Sequence, residues 1–476
     1  MTLWLCLRVP ELALEVFQRA GGDDDARVVA EGGTVSAANR PARRAGVAPG
    51  QRVSAARALV PRLLCHERDP AAEARALRQL AAWSLQFTPV VSPQRPDALL
   101  LEIGGSLRYF GGLERLRTTI ADGVVGLGYR PLTSLAPTPT AAWLLARAGD
   151  TTAATTQTES DAALTQLPVA VLALEQPRHH EELTGLGCET LGDVLALPRD
   201  GLARRFGHAL LRQLDRAHGR HADPRHPWQP PPRYRAEIAL PRESGDRELI
   251  ARGLERLLGE LCGYLSGLGR GVQRLELRLH HVPRGASTAR VGLLAPSRDA
   301  AHLLTLARER LERLALSGPV QSLTLLAGDL QPLAPESPAL LPGAREETPW
   351  HGLVERLSTR LGEETVNGLH TRSEHRPERA WHYVAPGRGG GTPAPNPARP
   401  LWLLDPPRAL TVSGETPAWH GPLTLHDGPE RIESGWWDGQ DVARDYYVAS
   451  NPGGERLWVY RERGHARGWF LHGLFA

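Results

Sequence analysis

The chain of 476 residues has no lysine; all 56 of its basic residues other than histidine are arginine. Any phosphate it holds by a basic side chain is therefore held by a planar guanidinium fork rather than an ammonium point charge. Long apolar runs are missing too. No stretch of about 18 apolar residues occurs, so no membrane-spanning helix is expected. The opening apolar segment is broken by Arg8 and Pro10, too early for a secretory signal. Cysteine is scarce: Cys6, Cys65, Cys188 and Cys262 are scattered and form no CxxC. Neither a zinc site nor a disulfide framework is expected, and a reducing cytoplasm is the natural compartment. A large charge excess is also lacking. The net charge of +3 does not by itself announce a polyanionic partner.

What is present is apolar material, 41% of the residues, enough for several cores; the length predicts about three or four domains. "LWLCLRVPELALEVF" (3–17) reads as a buried strand entering an amphipathic helix. "RVVAEGGTVSAAN" (27–39) reads as a hairpin turning at Gly32-Gly33. "DPAAEARALRQLAAWSLQF" predicts a helix capped by Asp69 with Pro70 at its first position. "DALLLEI" (97–103) predicts a second strand. Residues 166–221 read as helices with short turns, and "WQPPPRY" (228–234) as a stiff connector. Residues 235–330 return to α/β. Residues 331–349 and 385–400 read as flexible, with a helix over 350–369 between them. The last 75 or so residues read as strand-rich and tryptophan-heavy.

Several stretches carry chemistry. "LTGLGCETLGDVLAL" (183–197) has the pattern of a helix-hairpin-helix, in which Gly185 and Gly187 allow a tight bend and the amides at the Thr190 helix start can hold a DNA phosphate without reading sequence. Arg204, Arg205 and Arg212 follow at helical spacing. The same letters also fit an ordinary helical hairpin with C-capping glycines. Arg40, Arg43 and Arg44 lie together near a helix start, where they fit either a triphosphate grip or a solvated helix face. His218, His221 and His226 cluster without an acid or thiol to complete a metal spacing. No metal site and no cofactor are expected. For phosphoryl transfer by two metals, about three carboxylates must converge on cations roughly 4 Å apart. The opening strand offers Cys6 and Arg8 instead, and the second offers Asp97 and Glu102.

These residues resemble the Y-family translesion DNA polymerases over residues 1 to about 335. The fingers pattern is echoed by "RPARRAGVAPGQRVSAARALVP", with Arg43 at the triphosphate-binding arginine and Arg40 where the family has tyrosine. Cys6 and Arg8 stand at the two aspartates of the first motif, and Glu11 at the aromatic that screens ribose. Asp97 matches an aspartate, and Ala98 replaces the glutamate beside it. The closer resemblance is to the ImuB family of polymerase-like, catalytically inactive mutasome subunits, through "LLLEIGGSLRYFGG", "HRPERAW", "GPERIESGWWDGQDVARDYYV" and "GWFLHGLFA". It implies an α/β multidomain (α+β) fold. Its parts would be a palm (1–165) with a fingers insertion (about 27–68), a helical thumb with helix-hairpin-helix (166–227), an α/β little finger (234–332), a linker carrying a helix (333–400) and a small β-rich C-terminal module (401–476).

The resemblance further implies a non-catalytic adaptor that binds primer-template DNA independently of sequence. Its partners would be the sliding clamp, a RecA-like ImuA protein and an error-prone DnaE-type polymerase, with no membrane. A clamp-binding peptide is expected after the little finger, where Gln331 with Leu333, or Leu340-Leu341, are degenerate candidates. "QSLTLL" (321–326) fits the letters better but reads as a strand. In the C-terminal module, Trp436, Trp437 and Phe470 are the candidate docking aromatics, although most aromatics there suit a core. Two other functions remain open at this level: a low-activity lesion-bypass polymerase using Asp97, Glu102 and a shifted acid, and a stand-alone DNA-binding module.

Overall fold

The computed structural model describes residues 2–21, 25–172, 177–333, 348–362, 364–388, 399–464 and 467–475. Met1–Arg360 form one unit and Leu361–Ala476 a second.

The opening strand, Trp4–Arg8, is apolar on both faces because both are covered. It is a middle strand of a four-stranded sheet, paired antiparallel with Ala98–Glu102 on one side and Leu132–Ala136 on the other, with Val91–Gln94 outermost. Alternation across the pleat sends Leu5, Leu7, Leu99 and Leu101 into one core, shared with helices Pro70–Ser84 and Leu113–Gly126. It sends Trp4, Cys6, Ala98 and Leu100 into another, shared with helix Pro139–Ala148. Full burial of each leucine contributes about 2 kcal/mol, so the register is fixed from both sides.

A separate three-stranded sheet sits in the connection out of the opening strand. Arg27–Glu31 and Thr34–Ala38 form the hairpin expected there, and Leu64–Glu67 adds in parallel. Gly32 and Gly33 both have positive φ, 58° and 79°, as the tight turn demands. Helices Gln157–Thr165, Pro177–Gly185, Leu191–Ala196 and Arg199–Ala217 follow the palm sheet. The connector then leads into Tyr234–Ser244, Arg270–His281, Ala286–Ser297 and Val320–Ala327, an antiparallel sheet packed with helices Arg247–Leu268 and Ala300–Arg313.

The Arg247–Leu268 helix also packs closely on the palm. Gly259, Gly263 and Gly267 recur every four residues, so they share one face. A Cβ at Gly263 would lie 2.2 Å from Trp83, and one at Gly267 2.6 Å from Leu85. Within this junction the Arg19 guanidinium pairs with Glu260, both fully buried.

In the second unit, five antiparallel strands run in the order Trp402–Ala409, Trp469–Leu474, Arg456–Glu462, Val442–Ser450, Thr424–Ser434. Tyr446, Trp458 and Tyr460 form one core cluster, and Leu457, Val459 and Leu471 belong to another. The helix expected over 350–369 runs Thr348–Leu361. Gly362, at φ 99°, follows its end, and Gly368–Thr371 pairs with Trp381–Val384 as a hairpin. Part of the segment read as linker is thus β structure.

Candidate nucleic-acid interface and palm pocket

Cys6 and Arg8 project on the same face of the opening strand, with Ala98 directly across from Arg8. Helix Pro139–Ala148 lies over this face. Its Ala141, Ala142 and Ala146 are small enough to let it approach, and Ser134 on the neighbouring strand donates to the Ala142 carbonyl (2.6 Å). Cys6 is 0% exposed beneath it. Burial first, and the Asp97 charge second, push the Cys6 thiol well above its ordinary value.

Arg8 reaches sideways. Its Nε donates to the Asp97 carboxylate at 2.9 Å, and its Nη1 donates to the carbonyls of Ala146 and Arg147 at 3.3 Å each. One guanidinium thus neutralises the carboxylate and donates to two carbonyls near the helix C-terminus, where intrahelical donors run out; the Ala146 carbonyl also accepts from the Gly149 amide at 3.2 Å. Glu102 lies four residues along the strand from Ala98, roughly 13 Å away, and its Oε1 accepts from the amides of Leu3 and Gly104. Asp97 and Glu102 are therefore not brought together.

A second pairing closes the fingers side. Arg43 Nη1 donates to Glu11 Oε1 at 2.7 Å, and Arg130 stands 3.7 Å from the other oxygen. Arg40 is exposed at the start of the Arg40–Arg44 helix, which Asn39 caps. Below Glu11, Glu15 is 1% exposed; its Oε1 accepts from the Arg130 amide, and its Oε2 has no partner. Burial pushes its carboxyl up to about 8.

In the helical segment, Gly185 ends one helix, Gly187 takes φ 82° and Thr190 caps the next. That cap is closed on itself. The Asp193 carboxylate accepts from the amides of Glu189 and Thr190, while Thr190 Oγ1 accepts from the Asp193 amide. The sequence reading missed the kink at Gly207 (φ 80°, ψ 166°) inside Arg199–Ala217. A helical run restarts after it, and the first amides of a helix have no intrahelical partner. The lone glycine in "RRFGHALLRQL" was the available signal. Arg204 and Arg205 on one side of the kink and Arg212 on the other are exposed. Arg205 stands 3.8 Å from Glu182.

The histidines do not gather. His218 is buried, with its Nδ1 2.7 Å from Asp161, whereas His221 and His226 are exposed. Among the described residues no three His, Cys, Asp or Glu side chains are grouped to hold a metal ion. No helix among them is long and apolar enough to cross a membrane.

The impB/mucB/samB family matches residues 20–147, and the impB/mucB/samB family C-terminal domain matches residues 232–340. Protein ImuB of Caulobacter vibrioides (strain NA1000 / CB15N) is 32% identical over 466 residues, covering 90% of this chain and 100% of that protein. This chain belongs to the ImuB family. Among solved structures, an insertion ternary complex of Dbh DNA polymerase matches at 16% identity and a TM-score of 0.40, covering 69% of this chain and 99% of that one. DinB from Sulfolobus solfataricus matches at 18% identity and 0.39, covering 70% and 99%.

Two features of this ImuB-family chain lie beyond the palm. Gln331 and Pro332 pair with Gly271 and Arg270 as a short edge strand, and the Leu333 amide donates to the Gly269 carbonyl at 3.1 Å. Gln331 is exposed and Leu333 half-buried, while Leu340 and Leu341 lie outside the described residues. In the second unit, Trp436 is 80% exposed and Trp437 58%; Phe470 is half-buried and stacks on Tyr460 with centroids 5.2 Å apart.

The loop bearing the two tryptophans is held by Arg376, which is 2% exposed. Its Nη2 donates to Glu374 and to Asp438 at 2.7 Å each, and its Nη1 to the Gln440 carbonyl at 3.0 Å. Hydrogen bonds from Arg376 hold both carboxyls down, to about 2. The sequence reading quoted "HRPERAW" only as a resemblance and assigned Arg376 no role. In the same unit, Leu369, Trp381 and Tyr383 share one exposed face of the hairpin.

Proposed function

We propose that this protein is a non-catalytic adaptor of DNA-damage-induced mutagenesis and translesion synthesis, built on a Y-family polymerase-like frame. The observation that carries this reading is the Arg8–Asp97 pair. A site for two divalent cations needs concentrated negative charge, and here a carboxylate at the motif position is already paired with a cation, 2.9 Å away. Loading magnesium there would place two further positive charges against Arg8. The Cys6 position, sealed under helix Pro139–Ala148, adds no ligand that ionises near neutrality.

The thumb and little finger hold primer-template DNA through its phosphates, with Arg204, Arg205 and Arg212 and the Gly207 helix start as contacts. Binding is then independent of sequence and falls steeply with salt. The second unit recruits the error-prone DnaE-type polymerase and the RecA-like ImuA protein through Trp436, Trp437 and Phe470. The segment around Gln331, Leu333, Leu340 and Leu341 serves the sliding clamp. Its Gln331–Leu333 part must then leave the edge of the little-finger sheet to bind as an extended peptide.

Primer extension with Mg²⁺ or Mn²⁺ tests the reading directly. No extension is expected; extension that Asp97→Ala abolishes would sink the non-catalytic assignment. Co-purification tests recruitment: the DnaE-type polymerase should be recovered with the full chain but not with a chain ending near residue 345, whereas the clamp should be recovered with both. Failure to recover either partner with the full chain counts against it.

A further inference from the structure

On the far side of the palm sheet from Cys6 and Arg8 lies a cavity of about 440 Å³. Its walls come from helix Pro70–Ser84, the proline-rich connector, strand Tyr234–Ser244 and helix Arg247–Leu268. Two hydrogen bonds pin the connector in place. The Trp228 amide donates to the Val91 carbonyl at 2.7 Å, and the Tyr264 hydroxyl donates to the Pro231 carbonyl at 2.7 Å. The cavity is therefore shaped before anything enters it, and its size falls within the range of small-molecule sites.

Its lining is cationic and aromatic. Arg75 and Arg78 come from the palm helix and Arg235 from the little-finger strand, with Glu237 beside them. Arg75 has a distant carboxylate, Asp69 at 3.6 Å. The guanidiniums of Arg78 and Arg235 make no hydrogen bond or ion pair among the described residues, and both residues are exposed. Two unengaged guanidiniums on different elements, opening on one space, suit an anion that takes several donors at once, and a phosphate does so. The half-buried Trp228 offers an aromatic face for a base. The Glu237 carboxylate, also without a partner among the described residues, can accept from an amino or hydroxyl group.

We propose that this cavity binds a nucleoside phosphate, with Arg78 and Arg235 on the phosphate and Trp228 against the base. The ligand is either a free nucleotide or one nucleotide unit of a single DNA strand. The site is separate from the Cys6 and Arg8 positions, which lie on the other face of the sheet, and it goes beyond the adaptor reading.

The test titrates the full chain with dATP and, separately, with a six-residue oligothymidylate, by calorimetry. At least one probe is expected to bind. The double substitution Arg78→Glu with Arg235→Glu should weaken it about tenfold or more, whereas the control Arg117→Glu should not. Both arginines are exposed, so their exchange leaves the core intact; Arg78→Gln with Arg235→Gln repeats the test without charge reversal. Trp228→Phe should retain binding that Trp228→Ala loses. Binding of dATP alone identifies a free nucleotide, and binding of the oligonucleotide alone identifies a strand. The proposal is overturned if neither probe binds, if both double variants bind as the parent does, or if Arg43→Glu rather than the double variants removes binding.

Discussion

In the palm pocket, Arg8 and Arg43 turn onto carboxylates of the pocket itself, Asp97 and Glu11, and the face beside them lies under a helix. In the C-terminal unit, Arg376 also turns inward, onto Glu374 and Asp438, but the tryptophans it braces stay outside. The same chemistry, guanidinium against carboxylate, has opposite consequences. In the palm it pairs off the charges of Asp97 and Glu11. In the C-terminal unit it holds a loop whose two tryptophans stay exposed; on the proposed recruitment role, a loop already held lowers the cost of binding. A region whose polar groups satisfy one another has little left to offer a ligand. A region that buries its arginine and exposes its tryptophans leaves an apolar surface uncovered.

The sharpest way to break this comparison is Arg376→Ala. The two carboxylates lose their shared cation, and the loop and the hairpin lose their tie. Partner recovery by co-purification should fall about tenfold or more, as expected for a hot-spot support, and amide exchange should rise across 368–384 and 435–440. Arg376→Lys should not restore either, since a single ammonium cannot reproduce the fork. The network is also resistant to acid. Both carboxyls have depressed values, so their stabilisation is present above the ordinary carboxylate range and is lost only as pH falls through about 2.

Next in size is Arg8→Ala. It strands Asp97, which is 15% exposed, and removes a donor from each of two helix carbonyls. The expected cost is about 2–3 kcal/mol in denaturant unfolding of the first unit. Asp97→Asn should cost less, because the amide oxygen still accepts from Arg8. If Arg8→Ala were neutral, the pair would not be holding the pocket closed.

How far this was legible depended on range in the sequence. The letters at Cys6, Arg8 and Ala98 could be read directly, because the strand and its motif are local. That Arg8 pairs with Asp97, 89 positions away, and caps a helix near residue 146 could not, since only the sheet register brings those groups together. The hairpin at Gly32-Gly33 was readable from turn chemistry. The kink at Gly207 was hidden because the apolar period continues through it. Gly259, Gly263 and Gly267 were visible as a spacing, yet their meaning, close approach to Leu127, Trp83 and Leu85 respectively, needs partners from another part of the chain. The Arg78–Arg235 cavity joins elements about 160 residues apart and left no trace in either segment.

Glu15→Gln is the third test. Burial raises the Glu15 carboxyl to about 8. A raised folded value means that its contribution is favourable below the unfolded value near 4.5 and is lost as pH rises through about 8. The glutamine variant should therefore unfold nearly like the parent at pH 5 and be clearly more stable than it at pH 9, the gap opening as pH rises toward about 8. A parallel pH dependence in both proteins would mean that Glu15 is ionised throughout, and that the pocket floor carries more negative charge than its packing suggests.

The smallest effect belongs to Arg43→Ala. Its side chain is 47% exposed and that of Glu11 22%, so the pair is worth about 0–1 kcal/mol, and Arg130 remains near Glu11 to take over part of the charge. Unfolding of the first unit should shift by less than about 0.5 kcal/mol and should lose what salt sensitivity the pair confers. The same variant asks a functional question. With Arg43 bound to Glu11, removing both by Arg43→Ala with Glu11→Ala should leave DNA affinity at low salt within about twofold of the parent, because the two charges cancel. A fall in affinity confined to the Arg43 variant, restored in the double variant, would mean that Glu11 is freed to repel the DNA, and that the pair's role is to silence this corner of the palm rather than to hold the fold together.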